Sequence, residues 1–252
     1  MNKWKKSVRS LCLGMALMMS VSWTAFAATD GATGPGQAAG GTVSSAVPSG
    51  ATVTLQNAAQ PTVAAQGAVL YDATHNQFLF SKNADTQYYP ASITKLMTAL
   101  LVLEALDRDE IALTDSVQIS PRAAAMKGSQ ALLDASAVYP LEDLLRTTIM
   151  ASANDSAVAL SEYIAGSEEN FVDRMNRRAA ELGMTNTNYV NCTGYPQSGQ
   201  YTTARDVCRL CCEIAKHPRY NQYASVWIDK LTHPSGRVTD LTNTNRLVRF
   251  YE

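Results

Sequence analysis

Ser92 and Lys95 are the residues whose types and spacing most directly suggest chemistry, and they lie in an almost wholly apolar segment, YYPASITKLMTALLVLE, residues 88–104. Residues three apart on a helix share a face, with Cβ atoms about 5–6 Å apart, so the amine can reach the hydroxyl. A helix that is apolar on every side is normally buried, and burial lowers the pKa of a lysine. A neutral lysine can accept the serine proton and turn the hydroxyl into a nucleophile.

A purely structural role would explain the same two residues. Lys95 could extend its ammonium to the surface along an apolar stem, while Ser92 caps the helix. The pattern Ser-x-x-Lys is short, although it occurs only once in this chain. The start of a helix also offers unpaired N–H groups and the positive end of the dipole, which would favour an oxyanion at Ser92.

A second group of polar side chains, Ser152 and Asn154, occurs in MASANDSAVAL, between two predicted helices. A short loop there could direct both side chains into a cleft. The serine could relay a proton between the lysine and a leaving group, and the asparagine amide could hold a substrate carbonyl. Ser-x-Asn also occurs at Ser81, where the pattern instead indicates the end of a strand and a turn.

The elements that must position these residues are a β-hairpin and then a block of helices, an α+β arrangement. Two short strands near 69–71 and 78–80 flank a polar turn at 74–77. Gly183 fits a left-handed helix stop, and Thr203 with Asp206 fits a capping box. The predicted helices cover about 92–106, 141–151, 155–165, 168–182 and 203–216.

These segments together resemble the penicillin-binding and serine β-lactamase superfamily, whose motifs are Ser-x-x-Lys, a Ser-Asp-Asn-type loop and Lys-Thr-Gly. Within it, the chain most closely resembles the D-alanyl-D-alanine carboxypeptidases. The resemblance extends from about residue 68 to the end, in the family's usual order. It rests on YYPASITKLMTALLVLE, DLLRTTIMASANDSAVALSEYIAGSEENFVDRMNRRAAELGMTNTNYVNCTGY, YTTARDV and TNTNRLV.

The resemblance implies a role for each polar residue. Ser92 would be the acylated nucleophile, Lys95 its proton acceptor, Ser152 a proton relay and Asn154 the amide that orients the substrate. The substrate would be a peptidoglycan stem peptide ending in D-Ala-D-Ala, cleaved through an acyl-enzyme without a metal or other cofactor. β-Lactams, which mimic that dipeptide, would trap Ser92.

Some features of the family pattern are absent from the sequence. Lys-Thr-Gly does not occur, and the family usually has it shortly after the segment TNTNRLV. We therefore expect an incomplete β-lactamase/transpeptidase-like fold, truncated at the C-terminus with later sheet strands missing, and little or no turnover. A lost oxyanion-hole donor alone typically costs about 10²–10³ in rate. In addition, ASAVY replaces the usual Pro-Gly-acidic turn.

Two alternative functions each account for part of the sequence. A β-lactamase of this superfamily deacylates with a glutamate that is followed by asparagine four residues later, and no glutamate of this chain has that neighbour. A non-catalytic module that holds wall peptides would be consistent with the absent Lys-Thr-Gly, whereas the intact Ser-x-x-Lys and Ser-x-Asn favour catalysis.

The first 27 residues predict an export signal: a basic start, a short apolar core and the small residues AFA. A transmembrane anchor is the alternative, but the apolar run is short for a bilayer. Residues 28–61, rich in Ala, Gly, Ser and Thr, predict a disordered linker before a partial domain at 62–252. Beyond residue 27 the charge is about −5, with no basic patch for nucleic acid. Membrane association is expected only through a missing C-terminal region.

Four cysteines follow the predicted signal. Cys208, Cys211 and Cys212 share one predicted helix, and Cys192 precedes it. Small buried side chains are the favoured interpretation. A zinc site formed by CRLCC and His217 is the alternative, and its spacing matches no standard pattern.

Overall fold

A computed structural model of the protein describes residues 61–250. The predicted signal peptide, 1–27, and the predicted linker, 28–61, lie outside these residues apart from Pro61. No helix of residues 61–250 has both the length and the hydropathy needed to cross a bilayer.

The described part of the chain contains six strands and seven α-helices. The strands form three separate two-stranded antiparallel sheets: β1 with β2, β3 with β4, and β5 with β6. In chain order the elements are β1 (Ala68–Asp72), β2 (Gln77–Lys82), a 3₁₀ turn (Ala91–Ile93), α1 (Thr94–Asp107), β3 (Ser116–Gln118), α2 (Pro121–Ala124), β4 (Val138–Pro140), α3 (Leu141–Met150), α4 (Asn154–Ala165), α5 (Glu168–Glu181), α6 (Ala204–Ile214), α7 (Pro218–Ala224), β5 (Ile228–Thr232), β6 (Val238–Thr242) and a 3₁₀ turn (Arg246–Arg249).

Helix α1 is at the centre of the core, as its apolar sequence predicts. Its side chains are buried on every face, and α3, α4, α5, α6 and α7 all contact it. Met97, Leu100, Val102 and Leu103 have no exposed surface. Each such side chain contributes about 1.5–3 kcal/mol of transfer free energy, so α1 holds the helical block together.

The predicted hairpin and helices are confirmed, with shifts at their ends. Gly183 has φ 69°, the predicted left-handed stop after α5. Thr203 Oγ1 accepts from the Asp206 N–H at 3.1 Å, but the Asp206 carboxylate accepts from the Asn186 N–H rather than completing a capping box. The α-helix predicted from residue 92 begins at Thr94, because Ser92 lies in the preceding 3₁₀ turn.

Two strand pairs and two helices were not predicted from the sequence. Strands β3 and β4 have three residues each and are distant in the chain, so no local alternation marks them. Strands β5 and β6 each bury a single apolar side chain, Leu231 and Leu241. Helices α2 and α7 are short and begin with proline, a residue that suits a first helical position but does not by itself predict a helix.

The β1–β2 hairpin packs against α6, which supplies the support that an isolated hairpin needs. Arg205 holds it from the side: its guanidinium lies 4.6 Å from the centre of the Phe78 ring, and its Nε donates to Asp85 at 2.6 Å. A cation over an aromatic face contributes about 0.5–1 kcal/mol at an exposed site.

The loop at residues 191–194 crosses the chain directly in front of Ser92. Asn191 Oδ1 accepts from the Gly194 N–H at 2.7 Å, which shapes the loop. Gly194 has φ +75°, and a Cβ there would lie 1.8 Å from the Ala91 carbonyl oxygen and 3.0 Å from Ser92 N. Only glycine permits this crossing, because any larger residue would displace the backbone on which Ser92 is carried.

Buried His233, in the turn of the β5–β6 hairpin, joins this hairpin to strand β4. Its Nδ1 lies 2.7 Å from the Tyr139 hydroxyl and 3.1 Å from Arg237, and its Nε2 lies 2.8 Å from Thr239 Oγ1. Arginine can only donate, so Nδ1 must accept and Nε2–H must donate to Thr239. Burial and the neighbouring Arg237 lower the pKa of His233, against a weaker opposing effect of Asp134.

We predict that Gly194→Ala destabilises the protein more than Gly183→Ala. Both glycines have positive φ, which alone costs about 1–2 kcal/mol for alanine. At Gly183 a Cβ meets nothing within 4 Å, whereas at Gly194 it meets backbone, and such overpacking adds about 1–3 kcal/mol. Urea unfolding of both variants measures the difference, and equal free energies of unfolding would contradict the close crossing.

We also predict a loss of stability when the pH falls below about 6.5. The unfolded chain then binds a proton at residue 233, while the folded protein resists it because the His233 pKa is lowered from its ordinary value of about 6.5. His233→Asn removes this acid-dependent loss, since the titrating group is gone. The exposed histidine offers the control: His75→Asn should keep the loss, and chemical unfolding at pH 7 and pH 5.5 compares the three proteins. The idea fails if His233→Asn loses stability on acidification as the parent does.

Candidate active site

Ser92 and Lys95 meet as the sequence predicts. Lys95 Nζ lies 3.3 Å from Ser92 Oγ and donates to the Thr193 carbonyl oxygen at 2.7 Å. When the amine is neutral, its lone pair can accept the Ser92 proton while one of its N–H groups keeps the bond to Thr193. The arrangement therefore fits a proton acceptor next to a nucleophile.

The Lys95 side chain is buried, which contradicts the alternative in which its ammonium extends to the surface. Lys95 is only 4% exposed. Burial lowers its pKa from 10.5 to about 8, because the ammonium loses its hydration. The nearby Asp155 opposes this effect by favouring the charged form. A sizeable neutral fraction near pH 7–8 is what a general base needs.

The Thr193 carbonyl is held in place by its own loop. Thr98 Oγ1, one turn beyond Lys95 on α1, donates to the Cys192 carbonyl at 2.7 Å. On the other side, the Cys192 N–H donates to Glu168 Oε1 at 2.9 Å. Tyr89 Oη also donates to the Gly194 carbonyl at 2.9 Å. Sequence reasoning missed Thr193, since a carbonyl acceptor has no residue-type signature.

Ser152 lies in the loop between α3 and α4, as predicted. Its φ is 56°, a left-handed conformation that is uncommon for a residue with a side chain. Its Oγ is buried and has no hydrogen-bond partner among the described residues. Backbone strain and an unsatisfied buried hydroxyl both lower the stability of the folded protein. Such features concentrate at functional sites.

Asn154 departs from the predicted loop position, because it is the first residue of α4. Its backbone N–H donates to the Ser129 carbonyl at 2.8 Å, and its Nδ2 donates to the Lys127 carbonyl at 2.6 Å. The second hydrogen on Nδ2 stays available for another acceptor. The helix starts there because these bonds, rather than a side-chain cap, fix the backbone around Asn154.

Gly128 lies directly against the Asn154 amide. Its φ is +88°, and a Cβ there would lie 2.9 Å from Asn154 Nδ2 and 4.0 Å from the Tyr195 ring. Tyr195 directly follows Gly194 in the loop that holds Lys95. Gly128 therefore lies between the Asn154 amide and Tyr195, the residue that follows the loop holding Lys95.

Asp155, next to Asn154, connects the start of α4 to the segment before β4. Its carboxylate accepts from the N–H groups of Ala131 at 2.9 Å, Leu133 at 3.1 Å and Ser156 at 2.9 Å. Asp155 has no exposed surface. Three N–H donors satisfy the buried charge, and the segment before β4 is thereby attached to the start of α4.

The cysteines are less buried than the sequence interpretation expected. Cys192 is fully buried, but Cys208, Cys211 and Cys212 are half-buried, and Cys208 and Cys212 line a surface cavity beside α6. Residues 61–250 contain no group of three or more side chains placed to hold a metal ion. The zinc alternative is therefore not supported within that range: His217 lies 2.8 Å from Asp107 instead.

Similarity to known proteins agrees with this geometry. A family model described as D-alanyl-D-alanine carboxypeptidase, Peptidase S11, matches residues 54–252. The D-alanyl-D-alanine carboxypeptidase DacF of Bacillus subtilis is 39% identical over 187 residues, covering 74% of this chain and 48% of that protein. DacC of Escherichia coli is 37% identical over 217 residues, covering 83% and 48%. The chain thus spans about half the length of the curated relatives it matches.

Solved structures confirm the predicted fold class, the β-lactamase/transpeptidase-like arrangement. Penicillin binding protein 5 of Haemophilus influenzae superposes with a TM-score of 0.72 at 32% identity, over 77% of this chain and 56% of that one. A mutant of the Streptomyces K15 DD-transpeptidase gives 0.69 at 25% identity, over 77% and 79%. By the match of its family model and by its curated relatives, this chain belongs to the D-alanyl-D-alanine carboxypeptidase family.

Proposed function

We propose that this chain carries the acyl-transfer site of a serine-type D-Ala-D-Ala carboxypeptidase, which removes the terminal D-alanine from peptidoglycan stem peptides. The observation that carries the proposal is the buried Lys95 amine, 3.3 Å from Ser92 Oγ. A lysine at the surface would keep its ammonium hydrated and its pKa ordinary. Burial instead lowers the pKa of Lys95 to about 8.

In the first step the neutral Lys95 amine takes the Ser92 proton as the oxygen attacks the carbonyl carbon of the penultimate D-alanine. An ester forms between Ser92 and the peptide, and the C–N bond to the last D-alanine breaks. The leaving amine receives a proton, which Ser152 relays from the Lys95 ammonium. Water then attacks the ester, releases the shortened peptide and returns the proton to Ser92.

Ser152 and Asn154 are the other polar side chains of the proposed site. The buried hydroxyl of Ser152 has no hydrogen-bond partner within residues 61–250, so it is available to pass a proton once substrate is bound. Asn154 donates one amide hydrogen to Lys127 and can give the second to the substrate carbonyl beside the cleaved bond. The Lys127 contact thus orients the amide before substrate arrives.

The substrate places the site outside the cytoplasm, on the cell-wall side, periplasmic in a cell with an outer membrane. The basic and apolar start of the chain, residues 1–27, is consistent with export there. β-Lactams are the expected inhibitors, because their strained amide offers Ser92 the same carbonyl.

Penicillin labelling tests the proposed nucleophile. We expect a fluorescent penicillin to form a covalent adduct with the chain, and mass spectrometry to place it on Ser92. Ser92→Ala should abolish the label, while Ser81→Ala, at the other Ser-x-Asn sequence, should retain it. A label that survives Ser92→Ala would refute the assignment. A folded, unlabelled chain that still binds wall peptides would instead support the non-catalytic module.

The pH dependence of acylation tests Lys95. We expect the rate of penicillin acylation to rise with pH and to level off above about 8, because only the neutral amine accepts the proton and its pKa is about 8. Each pH unit below that value should lower the rate about tenfold. Stopped-flow measurement of labelling between pH 5.5 and 9.5 gives the profile.

Arginine at the same position supplies the complementary test. Lys95→Arg keeps the charge but cannot lose its proton, so acylation should fall by about 10²–10⁴. Lys230→Arg, at an exposed lysine with 69% of its side chain accessible, should leave the profile unchanged. A pH-independent rate in the parent, or full activity of Lys95→Arg, would eliminate Lys95 as the base.

A further inference from the structure

Glu168 carries a buried charge that the proposed reaction does not use. It is the first residue of α5, and 6% of its surface is exposed. A buried carboxylate needs hydrogen-bond donors or a cation to offset its lost hydration. Glu168 has one of each: its Oε1 accepts from the Cys192 N–H at 2.9 Å, and its Oε2 forms an ion pair with Arg122. One side chain thus connects α5 to α2 and to the loop at residues 191–194.

The Cys192 end of this connection leads directly to Lys95. The Cys192 N–H is bonded to Glu168, and the Cys192 carbonyl accepts from Thr98 Oγ1 at 2.7 Å. The next carbonyl along the chain, that of Thr193, accepts from Lys95 Nζ at 2.7 Å. Because both backbone polar groups of Cys192 are bonded, they fix the path of the chain that presents the Thr193 carbonyl to the amine.

The Arg122 end leads to Asn154. Arg122 lies in α2, and the chain continues from that helix into the segment that contacts Asn154. There the Lys127 carbonyl accepts from Asn154 Nδ2 at 2.6 Å, and the Ser129 carbonyl accepts from the Asn154 N–H at 2.8 Å. Arg122 therefore connects Glu168 to the segment that orients the Asn154 amide.

Glu168 is the stronger of two acidic partners of Arg122. Glu162 of α4 lies 3.6 Å from Arg122 Nη1, which is too far for a hydrogen bond, and 22% of its side chain is exposed. The Glu168 side chain is 8% exposed and accepts a hydrogen bond from Arg122 Nη2. Two opposite charges attract each other more strongly where water is excluded. The Arg122–Glu168 pair is thus the contact that joins α2 to α5.

A displaced loop would change the basicity of Lys95 as well as its position. Burial lowers the pKa of Lys95 to about 8, and this effect is opposed by Cys192 and Asp155, the titratable groups that face the amine within residues 61–250. A carbonyl acceptor stabilises an ammonium more than a neutral amine, so its loss would lower the pKa further. Both the rate of acylation and its pH dependence should therefore respond to the position of the Thr193 carbonyl.

We propose that Arg122 and Glu168 are positioning residues of the acyl-transfer site, and that their ion pair couples the Asn154 side of the site to the Lys95 side. Glu168 keeps the Thr193 carbonyl against the amine, and Arg122 ties Glu168 to the α2 segment. This inference rests on the proposed function, because it concerns the base of that reaction.

The pH dependence of penicillin acylation tests Glu168. Glu168→Leu removes both acceptor oxygens, so the plateau rate should fall about tenfold to a hundredfold and the midpoint should lie below that of the parent. Glu168→Gln, which keeps one acceptor oxygen, should fall between the two. The matched control Glu169→Leu, at the exposed neighbouring position, should keep the profile of the parent. Partial unfolding would reduce the amount of labelled protein without moving the midpoint.

Arg122 supplies a second variant, at a side chain that is 48% exposed and does not belong to the core. Arg122→Gln should move the midpoint in the same direction by a smaller amount, because Glu168 stays but loses its partner. The double variant Arg122→Gln/Glu168→Leu should acylate as Glu168→Leu does, because Arg122 acts through Glu168.

Hydrogen exchange at the Cys192 amide tests the contact without penicillin. Exchange should be faster in Glu168→Leu than in the parent, and unchanged in Glu169→Leu. An unlabelled parent would contradict the proposed function, and this inference with it. With a labelled parent, the inference alone is overturned by an unchanged or raised midpoint in Glu168→Leu, by additive losses in the double variant, or by unaltered exchange at Cys192.

Discussion

The burial of the Lys95 ammonium is the constraint on which the rest of the site depends. An isolated charge in an apolar environment is costly, and the protein answers by lowering the pKa of the amine and by placing a carbonyl against it. The same burial that costs stability leaves part of the amine neutral near pH 7–8, so that it can accept the Ser92 proton. Stability and chemistry are therefore opposed at this one side chain.

Compensation for that cost comes from parts of the chain far from Lys95. The Thr193 carbonyl is about a hundred residues away, and it is positioned by Thr98, Glu168 and the close crossing at Gly194. This loop also fixes the position of the Ser92 backbone, because Gly194 packs directly on Ala91. A single loop thus controls both members of the pair, so that small changes there should affect the nucleophile and the base together.

Strain at the second polar group follows the same logic. Ser152 adopts a left-handed conformation and leaves its hydroxyl unpaired, while neighbouring Asp155 is satisfied by three N–H donors. The well-bonded residues stabilise the junction of α3 and α4, and they allow one adjacent residue to remain unsatisfied. The fully bonded Asp155 thus stabilises the backbone that keeps the unpaired Ser152 hydroxyl available to a substrate.

The sequence by itself determined the buried helix α1, the hairpin, most helix limits and the facing of Ser92 and Lys95, because each depends on local periodicity, end signals or a three-residue spacing. The short strand pairs, the start of α4 at Asn154, the partner of Lys95 and the exposure of the α6 thiols were decided only by tertiary structure. These depend on contacts between distant segments: a carbonyl such as that of Thr193 is the same chemical group at every position, and only the packing of Gly194 against Ala91 brings this one to the amine.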